Sequence, residues 1–119
     1  EHPESSELVN VLLWEDDVDA AWAQAKIGGC SPRLWIRLGN LREDDHPEDA
    51  IPIYQDAVQR AIGAKNNRGY RDGVDGMIWV RTLMARAGNG GDFPDYVAQV
   101  RAIHKAKRNL MKLFDVQGW

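Results

Sequence analysis

Apolar positions along this chain recur at three- and four-residue spacing, the period of an amphipathic helix. No segment shows the two-residue alternation of a half-buried strand. Leu8, Val9, Leu12 and Leu13 predict a short first helix, with Ser5 or Ser6 as its cap. Glu15, Asp16 and Asp17 open a second, where carboxylates suit the positive end of the helix dipole. Val18, Ala21, Trp22 and Ala25 form its apolar stripe, and Gly28-Gly29 ends it. Ser31-Pro32 starts a third helix, because serine caps and proline at the first helical position loses no useful donor. Leu34, Trp35, Leu38 and Leu41 are its apolar face.

A polar turn from Arg42 to His46 precedes Pro47, which opens a fourth helix with Glu48 and Asp49 in its first turn. Ala50, Ile53, Tyr54, Ala57, Val58 and Ala61 line one side of it. Pro52 is expected to bend that helix or delay its start. Asn66-Asn67 is a turn and cap before a fifth helix, from about Arg68 to Ala87, carried by Tyr70, Val74, Met77, Ile78, Leu83 and Met84. Gly69, Gly73 and Gly76 weaken it, each by roughly 1 kcal/mol relative to alanine. Their spacing puts them near one face, where they admit a close neighbour. Gly88-Asn89-Gly90-Gly91 breaks the chain. Asp92 then reads as the cap of a last helix running to about Phe114, striped by Phe93, Tyr96, Val97, Val100, Ile103, Leu110, Met111 and Phe114. About six helices joined by short turns predict an all-α fold with neighbours antiparallel.

Residues 31–64 form one helix–turn–helix of 34 residues, the length of a tetratricopeptide unit. Its first helix holds Trp35-x-x-Leu38-Gly39, matching the W-x-x-L-G element of that repeat. Ala50, Tyr54 and Ala57 fall one residue earlier than the consensus, Arg42 stands where the consensus has tyrosine, and the terminal proline is missing. The unit resembles a degenerate tetratricopeptide repeat, which implies antiparallel helical hairpins stacked as a repeat.

A second resemblance spans about residues 8–119. Trp14-Glu-Asp-Asp-Val-Asp-Ala-Ala-Trp22 followed by Gly28-Gly29-Cys30, the block Glu48 to Tyr54, Phe93-x-x-Tyr96, and the run His104 to Leu113 look like the C-terminal helical region of bacterial SWIM-type zinc-finger proteins. That resemblance implies a helical-repeat interaction region beside a zinc module thought to contact nucleic acid or protein. The zinc part is absent here: there is no Cys-x-Cys and no second cysteine, so no metal residues carry over.

The 119 residues support one domain, and 44% hydrophobic with 28% charged residues is an ordinary globular composition. No apolar run approaches the roughly 18 residues of a membrane span, so no membrane partner is expected. The lone Cys30 excludes an internal disulfide and a multi-cysteine zinc site. The chain begins at Glu1 without a signal-peptide pattern, which reads as a piece of a longer protein, or a processed chain, in a cytoplasmic setting. Net charge is −3, unevenly spread. Residues 1–60 carry five basic and thirteen acidic side chains, a balance of −8; residues 61–119 carry ten and five, a balance of +5. Such asymmetry marks either a charged partner or differing solvated faces.

Catalytic chemistry finds no foothold. Glu15, Asp16, Asp17 and Asp19 lack the glycine and closing glutamate of a calcium loop and read as helix-start acids, as do Glu43, Asp44 and Asp45. His2, His46 and His104 are far apart, and only His46 has acids beside it, which is most simply a cap and a surface pair. Cys30 reads as a small turn residue. Gly88 to Gly91 is no phosphate loop, and no G-x-S-x-G occurs. No catalytic, cofactor or metal residue is assigned. The functional candidates are Arg101, Lys105, Arg108 and Lys112, at i, i+4, i+7 and i+11 on the last helix, together with Trp119. Trp14, Trp22, Trp35 and Trp79 are expected to fill spaces between helices, while Trp119 covers a neighbour or docks in a partner. The expected function is a non-catalytic protein-interaction or scaffold module with a protein partner. Nucleic-acid binding through the basic stripe is the second reading, and the oligomeric state is left open.

Overall fold

Seven helices and no strand make up the computed structural model, which describes residues 5–119. His2 lies outside the described residues. The helices are α1 (Ser6–Trp14), α2 (Val18–Gly28), α3 (Pro32–Arg42), α4 (Pro47–Gly63), α5 (Asn67–Arg86), α6 (Phe93–His104) and α7 (Arg108–Gln117), with a 3-10 turn at Gly90–Asp92. Among the described residues no helix is long and apolar enough to cross a membrane.

Local chemistry sets most of the boundaries. The Asp17 carboxylate accepts from Ala20 N–H at 3.1 Å, Ser31 Oγ from Leu34 N–H at 3.3 Å and Asn66 Oδ1 from Gly69 N–H at 2.7 Å, so three helix starts are side-chain capped. Gly29 leaves α2 at φ +75°, in the region that glycine enters without steric penalty. Two expected caps are not made. Asp92 precedes α6 without a side-chain cap. Ser5 and Ser6 instead fasten α1 to the next turn: Ser5 Oγ accepts from Gln24 Nε2 at 2.8 Å and Ser6 Oγ from Ser31 N–H at 2.9 Å. Pro52 lies inside α4, which runs unbroken from Pro47 to Gly63.

The final helix departs from expectation. The stretch predicted as one helix to Phe114 folds as two, hinged at 105–107, with the Lys107 N–H closing the turn on the His104 carbonyl at 2.9 Å. No glycine or proline breaks it. The cause is burial, which overrides local propensity. Phe93, Val97 and Val100 of α6 and Leu110 and Phe114 of α7 all reach one core only if α7 turns back onto α5. Ile103, next to the hinge, is left 68% exposed.

Helices α4 and α5 pack antiparallel, as the pairings along their interface show. Gly69 abuts Ala61, and Gly73 and Gly76 abut Ile62 and Val58, so α5 runs against α4 in the opposite sense. The three glycines do what their spacing predicts: a Cβ at Gly73 would lie 2.9 Å from Ile62 Cγ1, and one at Gly76 2.8 Å from Val58 Cγ2. Gly39 of the W-x-x-L-G element faces Ile53 and Tyr54 in the same way across α3 and α4.

The apolar interior divides in two. A smaller cluster of Val9, Leu13, Ala21, Ala25, Cys30, Leu34 and Leu38 holds α1 to α3 together. A larger one, centred on Ile62, Met77, Leu83, Leu110 and Phe114, joins α4 to α7. The result is an all-α, repeat-like stack of helical hairpins measuring 44 × 34 × 20 Å.

Candidate functional site

The hinge at 105–107 dissolves the expected basic stripe as a single helical row. Arg101 faces inward from α6: its Nη2 lies 3.2 Å from Asp115 Oδ1 on α7, and its guanidinium sits 5.9 Å from the Phe114 ring. Lys105 is in the hinge, and Arg108 and Lys112 begin and continue α7. These three are exposed and make no ion pair with another described residue. Trp119 is a packing residue, its ring 5.6 Å from Phe93 and 5.3 Å from Phe114, and its backbone N–H donates to the Phe114 carbonyl at 2.9 Å.

An apolar groove lies elsewhere, where α2, α3 and α4 meet. A groove of about 420 Å³ is floored by Trp22, Trp35, Pro52 and Ile53 and edged by Lys26, Glu48, Asp49 and Asp56. Each helix delivers its side chains by period: Trp22 and Lys26 are one turn apart on α2, and Glu48, Pro52 and Asp56 follow at four-residue steps on α4. Trp22 and Trp35 meet edge to face with centroids 5.8 Å apart, so each fixes the other's ring. The rim charges are partly answered within the chain. Lys26 Nζ lies 5.7 Å from the Trp22 centroid, and Asp56 pairs with Arg60 one turn on.

Arg42 anchors this corner. It is the buried charged residue among those described, 9% exposed. Its Nη2 donates to Asp49 Oδ2 at 2.8 Å, its Nη1 to Asp19 Oδ1 at 3.2 Å, and its guanidinium lies 4.7 Å from the Trp22 centroid. It thereby ties α2, α3 and α4 at the position where the tetratricopeptide pattern has tyrosine. On the other face of α3, Tyr54 Oη donates to Asn40 Oδ1 and meets Glu43 Oε2 at 3.0 Å, and Trp79 Nε1 donates to the same Glu43 oxygen at 2.9 Å. Burial first, and then the Glu43 carboxylate, push the Tyr54 phenol far above its ordinary range. Tyr96 is raised by burial alone, to about 12, and its hydroxyl has no hydrogen-bond partner among the described residues.

Among the described residues, His46, Glu48 and Asp49 bring three ligand atoms within 4.8 Å of one another. Their position opposes a cation, since Asp49 is engaged by Arg42 and all three stand at the positive start of α4. His104 is linked to Gln59 at 2.9 Å, and burial, then Lys107, lowers its pKa. Cys30 is buried in the smaller core.

Trp14 corrects a further expectation. It is 86% exposed and fills no space between helices, because Val9 and Leu13 occupy the inward face of α1. Leu8, Val11 and Trp14, at i, i+3 and i+6, form an outward apolar strip instead. The groove was hidden in the sequence because its residues come from three helices. The only sequence signal for it is a surplus of tryptophan. No protein-family model, curated protein or solved structure matches this chain.

Proposed function

We propose that this chain is a non-catalytic protein-interaction or scaffold module of tetratricopeptide-like build, and that a protein partner docks in the groove between α2, α3 and α4. The observation that carries this function is the groove itself. Two mutually braced indoles, a proline and an isoleucine offer an apolar floor, and lysine and carboxylates at its edge set orientation. Aromatic anchors inside a polar rim are the anatomy of a protein-binding hot spot. The resemblance to the helical region of SWIM-type proteins supports the same function.

Affinity capture from a bacterial lysate tests it, with the wild-type chain beside Pro52→Arg. Arginine at this exposed position restores a helical N–H and fills the groove, so the variant folds at least as well. A partner retained by wild type, resistant to nuclease and lost with Pro52→Arg is the expected result. Equal capture by both proteins refutes the groove. A second function, nucleic-acid binding, is favoured by Lys105, Arg108 and Lys112, which are exposed and make no ion pair with another described residue. It predicts capture that disappears on nuclease treatment.

A further inference from the structure

We propose that copies of this chain associate head to tail, the acidic end of one molecule docking on the basic end of the next. The proposal is independent of the groove and rests on how the antiparallel fold sorts charge. The α1–α2, α3–α4 and α5–α6 turns lie at one end. Arg42, closing α3, reaches Asp19 at the start of α2, and Arg86, closing α5, lies 3.8 Å from Asp44. These turns carry Glu15–Asp17, Glu43–Asp45 and Asp92, seven carboxylates, and no lysine or arginine. The other three turns lie at the opposite end, where Asn109 of α7 donates to Asn67 of α5 at 2.9 Å and His104 meets Gln59. They carry Lys65, Lys105 and Lys107, with no acid, and Arg68 and Arg108 follow directly in α5 and α7. The turns of the folded molecule thus sort by charge between its two ends, although Glu7 in the first turn of α1 also lies at the basic end and Arg86 at the acidic one.

Each end also offers an apolar anchor. Trp14 projects beside Glu15, and a pocket of about 360 Å³ lined by Val11, Trp14 and Arg37 opens between α1 and α3. At the basic end Ile103 is exposed beside Lys105. Lys65, Arg68, Lys105 and Arg108 are exposed and make no ion pair with another described residue; nor do Glu15, Asp16 and Asp45. An aromatic anchor at the acidic end and an aliphatic anchor at the basic end are complementary surfaces on the same chain. A second copy therefore satisfies both at once, as a heterologous contact. Opposed exposed charges are screened within about 8 Å at physiological salt, so the association is weak and salt-sensitive.

Sedimentation velocity of the whole chain tests this at low and high ionic strength. The expected result is an average mass that climbs above 13.4 kDa with concentration at low salt, with an association constant at least about 10-fold lower at physiological salt. Lys105→Glu/Arg108→Glu cuts the basic end from five cations to a balance of +1, and Glu15→Lys/Asp45→Lys cuts the acidic end from −7 to −3, so each alone associates more weakly than wild type. Mixed in equal amounts, the intact acidic end of one meets the intact basic end of the other, and association is stronger than for either alone. All four positions are solvent-exposed, and circular dichroism checks that both variants fold. Trp14→Ser weakens wild-type association about 10-fold without unfolding. The proposal is overturned if wild type stays monomeric at low salt, if either variant alone associates like wild type, or if the mixture associates no more strongly than either variant alone. A monomer that binds an oligonucleotide through the basic end also overturns it and assigns that end to nucleic acid.

Discussion

Replacing Gly69 by alanine reverses the rule that alanine stabilises helices. In an isolated helix the exchange gains about 1 kcal/mol. Here the new Cβ would run into the Ala61 carbonyl oxygen of α4, with Ala64 Cβ at 3.1 Å and Asn66 Oδ1 at 3.2 Å closing the other sides. The nearest obstacle is backbone, which cannot rotate away, so the first turn of α5 must lift off α4. That movement loosens the contacts of Val58 and Ile62 with Val74 and Met77. Overpacking of this kind costs about 1–3 kcal/mol, and against a rigid carbonyl the upper part of that range applies. After the propensity gain, a net loss of about 2 kcal/mol remains. For a chain of this size each kcal/mol shifts the midpoint by about 4 °C. Thermal unfolding followed by far-UV circular dichroism should therefore place Gly69→Ala about 8 °C below wild type. Gly63→Ala is the matched control. Its Cβ meets nothing within 4 Å, so it unfolds slightly above wild type. A Gly69→Ala protein that melts at or above wild type would show that α4 and α5 are not held at this separation, and the explanation of the glycine row would fail.

Other outcomes follow from the polar contacts. Asp49→Asn lowers stability by about 1 kcal/mol and Asp19→Asn by under about 0.5, because the Asp49 side chain is 27% exposed and the Asp19 side chain 94%; chemical denaturation distinguishes them. Tyr96→Phe raises stability by about 1 kcal/mol, since it removes a buried hydroxyl that has no partner among the described residues; a lower melting temperature would reveal a missed partner. The folded Tyr96 pKa lies above the ordinary 10, so the unfolded phenol ionises first. Stability is full below pH 10 and falls progressively toward the folded value of about 12, and Tyr96→Phe flattens that alkaline loss. Trp119→Ala costs about 2 kcal/mol by uncovering Phe93 and Phe114, measured as a shift in the denaturant midpoint.

The helices α2 to α5 are legible in the sequence because each start carries local chemistry: Asp17, Ser31-Pro32, Pro47 and Asn66 act on backbone groups within a few residues. The hinge at 105–107 is not legible, because the cause is the pull of Leu110 and Phe114 toward α5, a contact remote in sequence. With the hinge, the basic row loses Arg101 to Asp115. Trp14 shows the same limit in reverse. A helical stripe states which residues are apolar, and only the arrangement of neighbours decides that Val9 and Leu13 turn inward while Trp14 turns out. The glycine row was readable, since identical spacing on one face has one steric use, the close approach of a second helix.

The division of the apolar interior has a consequence for how the molecule opens. The cluster under α1 to α3 is small and built largely of alanine, valine and leucine, while that under α4 to α7 holds the methionines and both phenylalanines. Transient opening takes the least-buried cooperative unit first. Backbone amides of α1 to α3 therefore exchange hydrogen with solvent sooner than those of α4 and α5. Between the units runs a polar seam, Arg42 with Asp49 on one side and Tyr54 with Glu43 on the other. An occupant of the crevice beside that seam touches α2 and α4 together and clamps the looser unit to the firmer one. Amides of α1, which such an occupant never touches, then become protected, so that filling one crevice quiets the far edge of the molecule.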